Sequence, residues 1–267
     1  MEFQRIGFLG CGNMGSALAR AAAKQSRNLL LANRTPAKAE ALAGELGAQV
    51  ADNGQVARDC DLIFLGVKPQ MMAGLLAELA PVFLQRKDRF ILVTMAAGLT
   101  MEAIRSMAGG DYPVIRIMPN TPASIGAGMI LYCVQEVEPK ELEAFCALMS
   151  GAGRLDELPE GLMDAGSALS GCGPAFVYPF IEALADGAVA CGLPRAKAQQ
   201  YAAQTLVGAA RLVLESGAHP GALKDAVCSP GGSTIQGVRV LEQGGFRSAV
   251  MEAVIAAYQK TVDLGKQ

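Results

Sequence analysis

The stretch Ile6-Gly7-Phe8-Leu9-Gly10-Cys11-Gly12-Asn13-Met14-Gly15 decides how the rest of the chain is read. A short apolar run leads into Gly10, Gly12 and Gly15 in G-x-G-x-x-G spacing, and the alanine-rich Ser16 to Lys24 follows. This order spells buried strand, tight turn and helix, the pattern of a dinucleotide-binding turn. Gly10 permits the turn, Gly12 lets the backbone approach a pyrophosphate, and Gly15 lets the helix pack closely on the strand. The helix start, at Asn13 and Met14, offers free N–H groups to the anion. Chance matches to the spacing are common in a chain with 31 glycines. The flanking strand and helix give this match its weight.

Composition narrows the function classes. The chain has 267 residues, enough for two domains, and 51% are hydrophobic, so a large core is available. The net charge of −2 with 18% charged residues leaves no basic footprint for nucleic acid and no polybasic stretch for anionic lipid. Small acidic or zwitterionic metabolites suit it better. No segment reaches the ~18 unbroken apolar residues of a membrane span. The seven cysteines show no C-x-x-C pair and no metal-ligand spacing. Buried, reduced thiols in a cytoplasmic protein are expected, and no metal. No signal peptide is expected either, because the first residues run directly into a strand.

Outward from the glycine turn, a second apolar strand over 28–32 ends in Asn33-Arg34-Thr35-Pro36. An NAD-preferring enzyme usually has an acidic residue here to hold the ribose 2′-hydroxyl, and this chain has none. An amide and a guanidinium accept a 2′-phosphate instead. NADPH is therefore the expected hydride donor, with NADH as the alternative. A helix follows over 36–47, then a short strand over 49–51, with Asp52 or Asn53 capping the next helix. Further apolar runs at 61–67, 90–94 and 114–118 alternate with helical stretches, which implies a parallel sheet covered on both faces. Ligands then sit at the C-terminal ends of the strands. Lys68 lies at such an end, as ligand or as solvated lysine. So does Ala96-Ala97-Gly98, whose small residues let the backbone lie flat against a nicotinamide ring. Pro119-Asn120-Thr121-Pro122 reads either as a rigid turn or as the floor of that pocket. A strand over 126–133 and a helix over 139–150 complete the first domain.

From about Glu160 strand-like runs disappear. Residues 162–192, 195–216 and 246–264 form long alanine-rich helical patterns, broken at Gly171-Cys172-Gly173-Pro174. Such tight helix crossings serve core packing or a subunit interface. The single histidine, His219, precedes Pro220 at the start of a short helix and reads as structural. The second motif is Cys228-Ser229-Pro230-Gly231-Gly232-Ser233-Thr234, followed by a helix over 235–243. Two glycines and three hydroxyl residues at a helix start form either an anion seat or an ordinary capped turn. A carboxylate is the favoured guest, since the first motif already takes the phosphates.

Together, Phe8 to Gly15, Val67-Lys68-Pro69, Ala96-Ala97-Gly98, Met118 to Pro122, Ala168 to Ala175, Ser229 to Thr234 and Gly244-Gly245-Phe246-Arg247 resemble pyrroline-5-carboxylate reductase over nearly the whole chain. The resemblance implies an α/β, Rossmann-like doubly wound sheet over 1–159, followed by an all-α substrate-binding and dimerisation domain over 160–267. It also implies reduction of the cyclic imine L-1-pyrroline-5-carboxylate to L-proline by NAD(P)H. By position, Asn33 and Arg34 meet the adenosine ribose, Asn53 lies near the adenine, and Val67, Lys68 and Ala97, with Gly98 beside it, contact the nicotinamide half. Ser229, Gly232, Ser233 and Thr234 hold the substrate, with Glu160 as a neighbour. The resemblance further implies a homodimer with interlaced helical domains, the substrate loop of one chain facing the cofactor of its mate, and rings of such dimers. Position 172 is a cysteine where the family usually has a serine; both are small.

The chemistry agrees with this. A C=N carbon accepts hydride readily once its nitrogen is protonated or hydrogen-bonded, so orientation and one donor suffice. Thr234 is the candidate catalytic donor, positioning a protonated imine or relaying a proton from water. Two other readings remain. A 3-hydroxyacid dehydrogenase of the 6-phosphogluconate type requires a helix lysine with a nearby asparagine, and none of Lys197, Lys224, Lys260 and Lys266 has Asn three residues later. A catalytically idle NADPH sensor would bind cofactor without turnover, against which the intact Ser229 to Thr234 loop argues.

Overall fold

The computed structural model describes residues 3–265. By packing, the described residues fall into two units, one within Met1–Cys172 and Ala257–Gln267, the other within Gly173–Ala256.

The first unit alternates strands and helices: β1 (Ile6–Leu9), α1 (Asn13–Ala23), β2 (Leu29–Ala32), α2 (Pro36–Leu46), β3 (Gln49–Val50), α3 (Asn53–Asp59), β4 (Leu62–Leu65), α4 (Pro69–Gln85), β5 (Ile91–Thr94), α5 (Met101–Ala108), β6 (Val114–Met118), β7 (Gly128–Gln135), α6 (Pro139–Met149) and β8 (Gly153–Glu157). The strands form one sheet in the order β3-β2-β1-β4-β5-β6-β7-β8. Every residue of β1, β2, β4, β5 and β6 is buried, because helices cover both faces. The side-chain alternation of each strand divides the core in two. Phe8, Phe64 and Phe145 pack on one face, with the Phe8 and Phe64 rings stacked at 4.4 Å. Leu9, Ile63, Leu65, Leu76 and Phe83 fill the other.

Two features depart from the expected parallel sheet. β7 runs antiparallel to β6. The chain between them holds only a 3₁₀ turn, Thr121–Ile125, too short for the crossover that parallel neighbours need. β8, which the sequence reading did not anticipate, adds to β7 in parallel as an edge strand. Its sequence Gly-Arg-Leu-Asp-Glu is polar and largely exposed, so no apolar run announces it.

After β8, α7 (Met163–Ser170) stays with the first unit. Met163 and Ala168 are fully buried. Arg116 of β6, 2% exposed, pairs with Asp164 at 2.8 Å and with Glu160 at 3.5 Å. Asn120 donates through Nδ2 to the Ser170 carbonyl at 3.0 Å and accepts from the Met129 N–H at 2.9 Å. The expected rigid turn at Pro119–Pro122 is thus pinned on both sides.

The second unit is helical: α8 (Gly173–Ala190), α9 (Arg195–Ser216), α10 (Pro220–Ala226), α11 (Ser233–Gln243) and the start of α12 (Phe246–Leu264). The break at Gly171–Cys172 falls where the sequence placed it, and Pro174 sits in the first turn of α8. Only Ala185, Ala198 and Ala202 are buried in this unit's core, with Ile181, Ala188, Val189 and Leu193 partly so. Val207, Leu214, Val240 and Met251 are more than half exposed. Among the described residues, Glu160–Ala190 has the length and the mean hydropathy of 1.2 to cross a bilayer. The gap between α7 and α8 interrupts it.

Candidate functional site

In strand order the sheet reverses direction of progression between β1 and β4, and such a reversal opens a crevice at the strands' C-terminal ends. A cleft of about 760 Å³ lies there, and Gly10, Asn33, Arg34, Asn53 and Val67 are among the residues lining it. Those five are all residues that the sequence singled out.

The three glycines of the first motif have distinct geometry. Gly10 has φ +113, and a Cβ there would lie 2.5 Å from the Gly66 carbonyl oxygen. A Cβ on Gly15 would lie 2.1 Å from the Gly10 carbonyl oxygen, so the start of α1 can approach the turn only without a side chain. At Gly12 nothing lies within 4 Å of a Cβ. The chain's own packing therefore places no demand on Gly12, whereas a close-approaching phosphate would. Gly12 is also the N-cap of α1 and supplies no side-chain cap, leaving the first N–H groups, including those of Asn13 and Met14, available to an anion.

Asn33 does something the sequence did not reveal. Its Oδ1 accepts from the Cys11 N–H at 2.9 Å, and its Nδ2 donates to the Thr35 carbonyl at 2.9 Å. The amide ties the glycine turn to the end of β2. Arg34, exposed beside it and on the cleft wall, makes no ion pair among the described residues. Asp52 caps α3, accepting from the Gln55 N–H at 2.6 Å, which sets Asn53 on the cleft wall. The opposite wall is one face of α4: Met71, Gly74, Leu75 and Glu78. Their i, i+3, i+4, i+7 spacing was readable, but such a stripe reads equally as core. Lys68 is exposed at the N-cap position of α4, and Ala97 and Gly98 follow β5, with Gly98 at φ +76. None of these three lines the cleft; they lie at the ends of β4 and β5, beside it in strand order.

The second motif lies in the helical unit. Gly232 is the N-cap of α11 and contributes no side-chain cap, and Gly231 has φ +71. The Gly232 N–H donates to the Ser229 carbonyl at 3.0 Å. The Ser229 hydroxyl lies 2.4 Å from where a Gly232 Cβ would be, so a side chain there would have to displace that hydroxyl. Ser233 and Thr234 are exposed in the first turn. Free N–H groups, the positive end of the helix and three hydroxyl residues fall within one short segment, an arrangement able to accept an anion.

Comparison with known proteins decides the family. Residues 160–264 match the family profile described as pyrroline-5-carboxylate reductase dimerisation. Residues 5–98 match one described as NADP oxidoreductase, coenzyme F420-dependent. The chain is 40% identical to pyrroline-5-carboxylate reductase of Escherichia coli, over 98% of this chain and 99% of that one. It is 42% identical to the Synechocystis enzyme over 98% and 99%. The chain belongs to the pyrroline-5-carboxylate reductase family.

Solved reductase structures agree over the full length. The Plasmodium falciparum enzyme with NADP bound superposes with TM-score 0.86 at 32% identity, covering 98% of each chain. That of Coxiella burnetii gives 0.88 at 30% identity, covering 97% of this chain and 98% of that one. Within this reductase fold, Glu160 is engaged in the first unit: its Oε1 accepts from the Met101 N–H at 2.7 Å and faces Arg116. As found, it anchors the start of α5. All seven cysteines are free. Cys11, Cys60 and Cys133 are buried, and burial pushes the Cys60 thiol up to about 12 and that of Cys133 up to about 11. The expectation of buried thiols is met only by these three: Cys146, Cys172 and Cys228 are half-buried, and Cys191 is exposed in a helical unit with little core.

Proposed function

We propose that this chain reduces L-1-pyrroline-5-carboxylate to L-proline, the last step of proline synthesis, with NADPH as the hydride donor and NADH as a weaker alternative. The cleft of the first unit takes the nucleotide. Gly10, Gly12, Asn13, Met14 and Gly15 hold the pyrophosphate, Arg34 the 2′-phosphate, and Asn53 the adenine side. Val67, Lys68, Ala97 and Gly98 take the nicotinamide half. The region matched to the dimerisation profile begins at residue 160, and its helical unit, from Gly173, holds the substrate. In it, Ser229, Gly232, Ser233 and Thr234 grip the substrate carboxylate, with Glu160 at the margin of the site. Hydride passes from the nicotinamide to the imine carbon, the C=N π electrons move to nitrogen, and the nitrogen keeps its proton. Thr234 orients that protonated nitrogen through its hydroxyl.

The catalytic unit is a homodimer with interlaced helical domains, in which the Ser229–Thr234 loop of one chain serves the cofactor of its mate. Dimers assemble further into rings, and the enzyme is cytoplasmic. The observation that carries this reading is the end-to-end likeness to these reductases, 98% of the chain, with both anion seats in place. The test is a mixture of the protein, NADPH and the cyclic imine, followed by loss of nicotinamide absorbance and by proline formation. NADPH binding without turnover would leave only the sensor reading. For the interlaced site, a variant with Gly15→Val is mixed and refolded with one carrying Thr234→Ala. Sites shared between chains regain about a quarter of wild-type activity by random pairing; the same variants placed on separate, self-contained sites regain none.

A further inference from the structure

His219 is the only histidine of the chain and has no part in the chemistry above. Preceding Pro220, it is held in extended conformation, φ −61 and ψ 132, the backbone of an N-cap. Its Nδ1 accepts from the Gly221 N–H at 3.1 Å, and its carbonyl accepts from the N–H groups of Ala222 and Leu223. Histidine is an uncommon cap. Here the fit is close, since a Cβ on Gly221 would stand 3.0 Å from Nδ1.

The helix it starts, α10, has only seven residues and no buried side chain, so neither length nor packing within the chain holds it together. At its other end, the Cys228 N–H donates to the Asp225 carbonyl at 3.0 Å and the Val227 N–H to that of Lys224. Cys228 is followed directly by Ser229, whose carbonyl accepts from the Gly232 N–H and closes the loop. The order of contacts runs from the imidazole through one short helix to the carboxylate seat, all within one unit.

We propose that His219 is a positioning residue for substrate: by capping α10 it fixes the take-off of the Ser229–Thr234 loop, and so sets affinity for the cyclic imino acid without touching it. The proposal rests on the assignment of that loop to the substrate. His219→Ala removes the cap, and His219→Asn restores an acceptor at the same position. Hydrogen exchange of the amides over 221–234 and steady-state kinetics are measured on both dimers. With His219→Ala, exchange over 221–234 quickens, KM for the imine rises about five-fold, kcat changes by less than two-fold, and NADPH binding is unchanged. His219→Asn returns both readouts to within two-fold of wild type. Unchanged exchange in His219→Ala overturns the proposal. So does faster exchange with an unchanged imine KM, and so does a fall in kcat alone, which reports loss of folded enzyme. If the wild type fails to saturate with the imine while exchange still responds to the cap, the substrate assignment is what has failed.

Discussion

The two units differ in what their own sequence can complete. In the first, eight strands and their helices bury two cores, and Phe8, Phe64, Phe83 and Phe145 are all at most 1% exposed. In the second, three alanines are the buried core, and α10, α11 and α12 bury no side chain at all. Yet the second unit carries large apolar side chains in the open: Leu214 is 71% exposed, Met251 59% and Val240 57%. Burying a large apolar side chain is worth about 1.5–3 kcal/mol, so a face this open is stable only when covered. The family profile over these helices, described as dimerisation, says what kind of copy covers it. The nucleotide unit is finished by its own chain; the helical unit leaves an apolar face uncovered.

The most direct way to break that contrast is a charge on the open face. Met251→Asp is expected to leave NADPH binding within two-fold of wild type while turnover falls more than about a hundredfold, because an unpaired carboxylate has no place in a buried interface. Sedimentation should show a smaller species. A fully active monomer would sever the link between helix pairing and catalysis.

The next effect tests the chemistry proposed for the helical unit. Thr234→Ala should lower kcat/KM for the imine on the order of a hundredfold through loss of one oriented donor, with the nucleotide cleft unaffected. Equal losses in NADPH affinity and in imine turnover would mean that the variant had damaged the fold. Smaller again is the contribution of Arg34. Arg34→Ala should reduce kcat/KM with NADPH on the order of tenfold while barely moving that with NADH, since only the former carries a phosphate for the guanidinium. An unchanged ratio of the two would remove Arg34 from cofactor choice.

The same contrast explains what could be read from the sequence. Buried parallel strands leave unmistakable apolar runs, so β1, β2, β4, β5 and β6 were legible, and the glycine turn's roles at Gly10 and Gly15 followed from sterics alone. β8 escaped because an edge strand of Gly-Arg-Leu-Asp-Glu has one face in solvent and no run to betray it. The α4 wall of the cleft, Met71 to Glu78, escaped because a ligand-facing stripe and a core-facing stripe share one period. The amide of Asn33 reads from the sequence as a phosphate ligand; its bond to the Cys11 N–H, 22 residues away, depends on how β1 and β2 pair. Local pattern carries the elements; contacts between elements do not announce themselves.

The smallest expected effect tests the independence of the nucleotide unit. Glu141, 2% exposed in α6, accepts from Arg89 Nε at 2.6 Å and Nη2 at 2.9 Å and from the Glu138 N–H at 2.8 Å, closing a capping box. The bonds from Arg89 come first in holding its carboxyl below the ordinary glutamate value, against the opposing pull of burial. Arg89 Nη2 also donates to the carbonyl of Glu136, which turns the chain at φ 57 between β7 and α6. A depressed carboxyl stabilises the fold above the unfolded glutamate value of about 4.3, and that stability is lost as pH falls through the lower folded value. With Arg89 half in solvent, the pair is worth about 1 kcal/mol. Thermal melts between pH 3 and 6 should therefore show Glu141→Gln less stable than wild type at the upper end, the difference closing toward the lower. All the partners lie within one unit of one chain, so the gap should be the same at every protein concentration. A gap that widened on dilution would mean that the nucleotide unit, too, leans on the second copy.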